Sequence, residues 1–214
     1  MEEAFVGLEG AANKMGLRLN IAKTKGMIVT ASDTRRAEQS MVLGGYAFEM
    51  VSEFNYLGSM VSNINDAGVE VRRRIVLANI AYFGLQSKMN SRLLSRNTKV
   101  LLYKTLIIPV LTYGMETLPL TKSSLDCISR FERKILRRIY GPVKEGDNWR
   151  RRYNAELYEL YKEIPLTRKI KVNRLRWAGH LMRMGTANVT RRMLEGRGRQ
   201  KNRSCIGQTA LRET

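Results

Sequence analysis

Two-metal phosphoryl chemistry needs paired carboxylates that hold two divalent ions ~3.5–4 Å apart. The four aspartates, Asp33, Asp66, Asp126 and Asp147, are scattered along a chain of 214 residues, and their spacing pairs none of them. Asp66, or its neighbour Asn65, precedes a helical run and reads as a helix cap. There is no Walker A loop, no G-x-S-x-G elbow and no H-E-x-x-H pair. A structural zinc site takes about four N/S ligands. One histidine, His180, and two distant cysteines, Cys127 and Cys205, do not supply them. The cysteines read as reduced thiols. The sequence therefore predicts no metal site and no self-contained active site.

What the side chains offer instead is cationic. Arg72, Arg73 and Arg74 are consecutive in the first turns of the helix that follows Asp66. Three successive positions span over half of a helix circumference, so at least one of them faces solvent. Arg130, Arg133, Lys134 and Arg137 form one side of an amphipathic helix, with Glu132 the only acid among them. Lys169, Arg176 and Arg183, seven apart, line one side of a later helix. A charge stripe is ordinarily just a solvated face. Here the background differs: 38 Lys and Arg stand against 19 Asp and Glu, a net charge of +19. Residues 1–61 carry a net −1 and residues 62–214 a net +20. A balanced module is followed by a strongly cationic one. That density favours a polyanion, nucleic acid before an acidic membrane surface.

The elements that must position these groups follow from periodicity. Phe5, Leu8, Ala12 and Met15 share one stripe of a helix over Glu2 to Met15, with Gly16 at its left-handed end. Leu17 and Leu19 alternate with polar neighbours and predict a short strand. A basic turn with Lys23 and Lys25 leads to a second strand, Met27 to Val29. Thr30 to Ser40 reads as a loop. Met41 to Val61 predicts a hairpin at Gly44-Gly45 and then a third strand. From Asp66 to Gly141 the pattern is helical, with Val76, Ile80 and Phe83 as a buried stripe. Pro109 should kink or interrupt the apolar run from Thr98. Ser123 to Tyr140 buries Leu125, Ile128, Phe131, Ile135 and Ile139, and Gly141-Pro142 ends it. The following link is polar and basic, with Trp149 as its large anchor.

Two more helices, Asn154 to Glu163 and Leu166 to Met184, meet at Ile164-Pro165. Leu166, Ile170, Trp177, Leu181 and Met184 face one way, and His180 flanks them. Arg191 to Arg203 is basic and reads as flexible. The fold class expected is α+β, a small antiparallel piece followed by a mostly helical region. Hydrophobic residues make up 43% of the chain, enough for a core. No run approaches the ~18 apolar residues of a membrane span. The acidic start, MEEAFVGLEG, lacks the basic region of a secretory signal. The compartment expected is the cytoplasm or nucleus, without secretion and without a membrane.

Four segments, in order, resemble reverse transcriptases of non-LTR (LINE-type) retrotransposons. GLRLNIAKTKGM (Gly16 to Met27) is similar to the fourth palm motif, and FNYLGS (Phe54 to Ser59) to the primer grip. LLYKTLIIPVLTYGMETLPLT (Leu101 to Thr121) and RLRWAGHLMRM (Arg174 to Met184) resemble thumb and post-thumb segments. The resemblance covers roughly Glu2 to Met184. It implies a palm end with primer grip over 1–61, a helical thumb over 62–141, a basic post-thumb region over 142–184 and a flexible tail over 185–214.

By the same resemblance, Lys23 is placed near an incoming triphosphate as a general acid. The bland alternative is a solvated turn lysine, and Asn20 reads as turn-forming. Tyr56 would pack on a sugar and Gly58 would let backbone approach the primer closely. The family's metal-binding aspartates belong upstream of Met1, so Mg2+ is expected only in a full-length enzyme. The tail departs from the family's Gly-Arg-Pro-rich continuation, as in a truncated or decayed copy. The function expected is a reverse-transcriptase portion that binds RNA template and DNA primer but is inactive alone. The alternatives are a non-catalytic nucleic-acid-binding protein and a decayed pseudogene product.

Overall fold

A computed structural model describes residues 2–29, 40–64, 66–193 and 195. The expected loop at Thr30 to Ser40, apart from Ser40, which opens a strand, the Asn65 cap and most of the basic tail lie outside them.

Helix α1 (Glu2–Lys14) buries no residue fully. Of its expected stripe, Leu8 and Met15 are exposed. Phe5 makes the attachment, 5.5 Å from the Phe48 ring. Leu17 to Leu19 form no strand. Instead Asn20 builds a turn, its Oδ1 accepting from the Lys23 N–H at 3.1 Å and its carbonyl from Thr24 Oγ1 at 2.8 Å. Strand β1 is short (Lys25–Gly26) and includes Lys25, which pairs with Glu49. Strands β2 (Ser40–Leu43) and β3 (Tyr46–Met50) are antiparallel about Gly44-Gly45. β1 joins β3 in parallel, giving the order β1-β3-β2. Both edges of β3 are then occupied, which leaves Leu17 to Leu19 without a ladder there. Gly44 has φ +56, and a Cβ there would stand 2.8 Å from the Phe5 ring. Glycine thus serves both the turn and the seat for α1.

The expected third strand is itself a hairpin, β4 (Glu53–Tyr56) with β5 (Ser59–Ser62). Helix α2 (Ala67–Gly84) begins at Asp66, whose side chain accepts the Gly68 N–H at 2.8 Å. Its orientation differs from expectation. Val76, Ile80 and Phe83 are exposed, and the buried line is Glu70, Val71, Arg74, Ala78 and Tyr82. At ~100° per residue the two sets lie on roughly opposite faces. The Glu70–Arg74 pair that docks the β4–β5 hairpin turns the helix this way, against its simple apolar pattern.

Helices α3 (Gln86–Asn90) and α4 (Arg96–Leu102) follow. A π-turn (Tyr103–Ile107) then leads into α5 (Ile108–Thr112). Pro109 has no N–H to donate. The chain absorbs it by widening one turn, with the Ile108 N–H reaching the Tyr103 carbonyl, rather than by breaking. Helix α6 (Lys122–Tyr140) is capped by Thr121 and closed by Gly141 at φ +72. A hairpin of β6 (Val143–Glu145) and β7 (Asn148–Arg150) comes next, then α7 (Asn154–Tyr161) and α8 (Leu166–Arg183). One core cluster runs from Val71 to Ile170, and α6 packs against α2, α3, α4, α7 and α8 within it. The fold is α+β, with small sheets and a mainly helical body around α6. No described helix is long and apolar enough to cross a membrane.

Candidate nucleic-acid interface

The tip of the β4–β5 hairpin is a two-residue turn in which Leu57 (φ 48) and Gly58 (φ 81) both have positive φ. That is the geometry that lets a hairpin keep its right-handed twist, at a cost for Leu57. The strained tip is held from behind by α2. Arg73 Nη1 donates to the Gly58 carbonyl at 2.9 Å, and Arg74 Nη2 donates to the same oxygen. Tyr113 Oη donates to the Leu57 carbonyl at 3.0 Å, and the Arg74 guanidinium lies 4.5 Å over the Tyr113 ring. Glu70, 1% exposed, accepts from the Met60 N–H at 2.8 Å and from Arg74 Nε. Tyr56 and Leu57 project outward, 60% and 74% exposed.

The structure thus gathers Tyr56, Gly58, Arg73 and Arg74 into one clamp. Within it, Arg74 is committed to the fold. Arg72 turns away to Asp66 at 3.3 Å and stays exposed. Lys23 is exposed in its separate turn.

On α6, Arg130 and Lys134 are exposed, while Arg133 and Arg137 are half-buried. Glu132, the one acid of that run, points inward and is buried. It accepts from Tyr158 Oη at 2.8 Å and from the Leu166 N–H at 3.1 Å. It therefore satisfies the first turn of α8, which has no side-chain cap of its own. Burial pushes the Glu132 carboxyl up, against the opposing pull of Tyr158, Leu166 and Arg133. Burial and the Glu132 charge push the Tyr158 phenol up to about 12. With Glu132 removed to the interior, the outer stripe of α6 carries no acid between Arg130 and Arg137.

Lys169 and Arg176 border a small cavity of about 200 Å³ that also touches Glu132 and Glu163. Arg183 lies in the last turn of α8. Trp177 is half-buried and His180 exposed.

A larger groove, about 590 Å³, opens where the ends of α2 and α6 meet the β6–β7 hairpin. Its lining includes Lys134, Arg137, Arg138 and Arg150 to Arg152, with no acidic residue among the lining side chains. Phe83 and Trp149 line it too, 57% and 68% exposed. Trp149 is therefore a surface ring, contrary to the anchor expected from sequence. Three of the arginines are held in place by neutral oxygens. Arg137 donates to Asn154 Oδ1 at 2.6 Å and to the Arg152 carbonyl at 3.3 Å, and Arg138 to Asn90 Oδ1 at 3.1 Å. Arg152 donates to the Gly141 carbonyl at 3.0 Å.

Only Arg150 has acidic partners, Glu156 and Glu145. Its hydrogen bond to Glu156 comes first among the causes that raise the guanidinium, and the same bond lowers the Glu156 carboxyl to about 2. Desolvation, then the positive neighbours Arg151 and Arg133, lower the Arg137 guanidinium. The sequence reading missed this groove. Gly146-Asp147 between two short runs was the legible signal for its hairpin.

Among the described residues, no group of three His, Cys, Asp or Glu side chains is placed to hold a metal ion. Asp66 is spent on a cap, and Asp147 lies at the hairpin turn. What the groove offers chemically is a set of cations and two open aromatic rings.

No sequence profile of a known family matches the chain. No solved structure matches it either. A Caenorhabditis elegans protein described as uncharacterized and transposon-derived is 24% identical over 202 residues, 94% of this chain and 72% of the relative. The similarity supports a transposon-derived origin for the chain.

Proposed function

We propose that this chain is the primer-grip, thumb and post-thumb portion of a LINE-type RNA-directed DNA polymerase. It binds RNA template and DNA primer and has no polymerase activity alone. The observation that carries this reading is the clamp on the β4–β5 tip. A segment that resembles a primer grip presents Tyr56 and Leu57 outward, while two arginines of the next helix hold the Gly58 carbonyl and Tyr113 holds that of Leu57 from behind. A tip that must meet a sugar-phosphate chain benefits from such rigidity, because little ordering entropy is then lost on binding. The acid-free stripe of α6 and the transposon-derived relative support the same reading. In it, the metal-binding carboxylates and their Mg2+ belong to a part of the enzyme other than this chain.

The test is binding and extension with one RNA template annealed to a DNA primer, Mg2+ and deoxynucleotides. The chain is expected to bind the hybrid, to weaken severalfold with Tyr56→Ala, and to add no nucleotide. Primer extension by the purified chain, or no binding at low salt, contradicts the proposal.

A further inference from the structure

We infer that the groove between α6 and the β6–β7 hairpin is a seat for an unpaired polynucleotide strand, with a base stacked on Trp149 and phosphates on Arg137, Arg138 and Arg151. The inference rests on the nucleic-acid-binding reading above and narrows it to a substrate class at one place.

Three observations carry it. The groove's volume, about 590 Å³, falls within the ~300–1,000 Å³ of sites that hold a compact ligand. Its rings are open to solvent, although Trp149 and Phe83 would ordinarily be covered, and the Lys134 ammonium lies 5.9 Å from the Phe83 centroid. Three of its cations, Arg137, Arg138 and Arg152, are positioned by amide and carbonyl oxygens. Those oxygens fix geometry without neutralising charge. An anion placed there meets arginines already oriented and crowded by one another.

The combination of rings and arginines selects among polyanions. A duplex hides the faces of its bases and offers only phosphates and groove edges. An unpaired strand offers phosphates and a free π-face at each nucleotide, which is what sequence-tolerant single-strand binders use. Acidic peptides would satisfy the charge but leave the two rings without a stacking partner.

The hairpin's build fits the role. Gly141 turns the chain out of α6, and Gly146 (φ +62) closes a two-residue turn that carries Trp149 on β7. Arg150, next to Trp149, is tied to Glu145 of the opposite strand and to Glu156 of α7. The indole thus stands on a braced support.

The experiment uses the full chain in a Trp177→Phe background, so that Trp149 is its only indole. Single-stranded oligo-uridine, single-stranded oligo-thymidine and a blunt duplex of equal length are titrated by fluorescence and by anisotropy. The expected result is quenching of Trp149 by both single strands and not by the duplex. Trp149→Ala should weaken single-strand binding ~5- to 150-fold and leave duplex binding unchanged. Arg151→Gln should lower the single-strand salt slope by ~0.7. Circular dichroism checks that each variant is folded. If single strands bind without quenching Trp149, or bind Trp149→Ala as tightly as the parent, this inference is overturned and the reading of the chain as a nucleic-acid binder survives. If no nucleic acid binds, both fall.

Discussion

Glu70 and Glu132 are the two buried carboxylates of the described chain, and they do opposite kinds of work. Glu70 is an ion-pair partner. It faces Arg74, itself only 6% exposed, so removing the acid strands a buried guanidinium. Glu70→Ala is expected to cost about 3–5 kcal/mol in urea unfolding, near the upper end for a single substitution. Glu132 holds hydrogen-bond donors rather than a cation. Its pKa is raised in the folded state, so the native form prefers the neutral acid. That contribution is complete below the ordinary value of 4.5 and is lost as pH rises through the raised one. Urea midpoints across pH should show this loss in the parent and not in Glu132→Gln.

Neither role was legible in the sequence. Glu132 reads as a surface partner for the arginines around it, and only the packing of α7 and α8 turns it inward. The chemistry of Asn20 and Asp66 was legible, because both act within four residues of themselves.

At the scale of elements, local signals served where the chain decides locally. Gly44-Gly45 makes its hairpin, Gly141 ends α6, and the face of α6 that holds Ile128, Phe131, Ile135 and Ile139 is the buried one. They failed where a partner decides. α2 presents Val76, Ile80 and Phe83 to solvent because Glu70 and Arg74 must face the β4–β5 tip. Leu17 to Leu19 alternate as a strand should, but the central strand β3 is already paired on both sides, by β1 and β2, and they join no ladder. The β6–β7 hairpin was legible only at its Gly146-Asp147 turn, because its strands are 3 residues each. Its turn yields a prediction. Gly146 has positive φ and open space around its Cα, so Gly146→Ala incurs backbone strain alone, about 1–2 kcal/mol. A lowered thermal midpoint with unchanged far-ultraviolet circular dichroism would be its signature.

The whole molecule combines a nearly neutral first part, residues 1–61, with a stretch at a net +20, residues 62–214, that includes the helical body. That body keeps Glu70 and Glu132 inside and ties Glu145 and Glu156 to Arg150. Its outward cations on α6 are thus left, among the described residues, without acids of their own, and uncompensated charge of one sign acts at long range.

The most direct measurement is the affinity for an RNA–DNA hybrid from about 50 to about 200 mM salt, for the parent and for Arg130→Gln/Arg133→Gln/Arg137→Gln together. The parent should show log K falling linearly with log salt. The triple variant should show a slope smaller by ~0.7–0.9 for each phosphate that the substituted side chains no longer neutralise. An unchanged slope in a folded triple variant would make the α6 stripe a spectator and contradict the central claim.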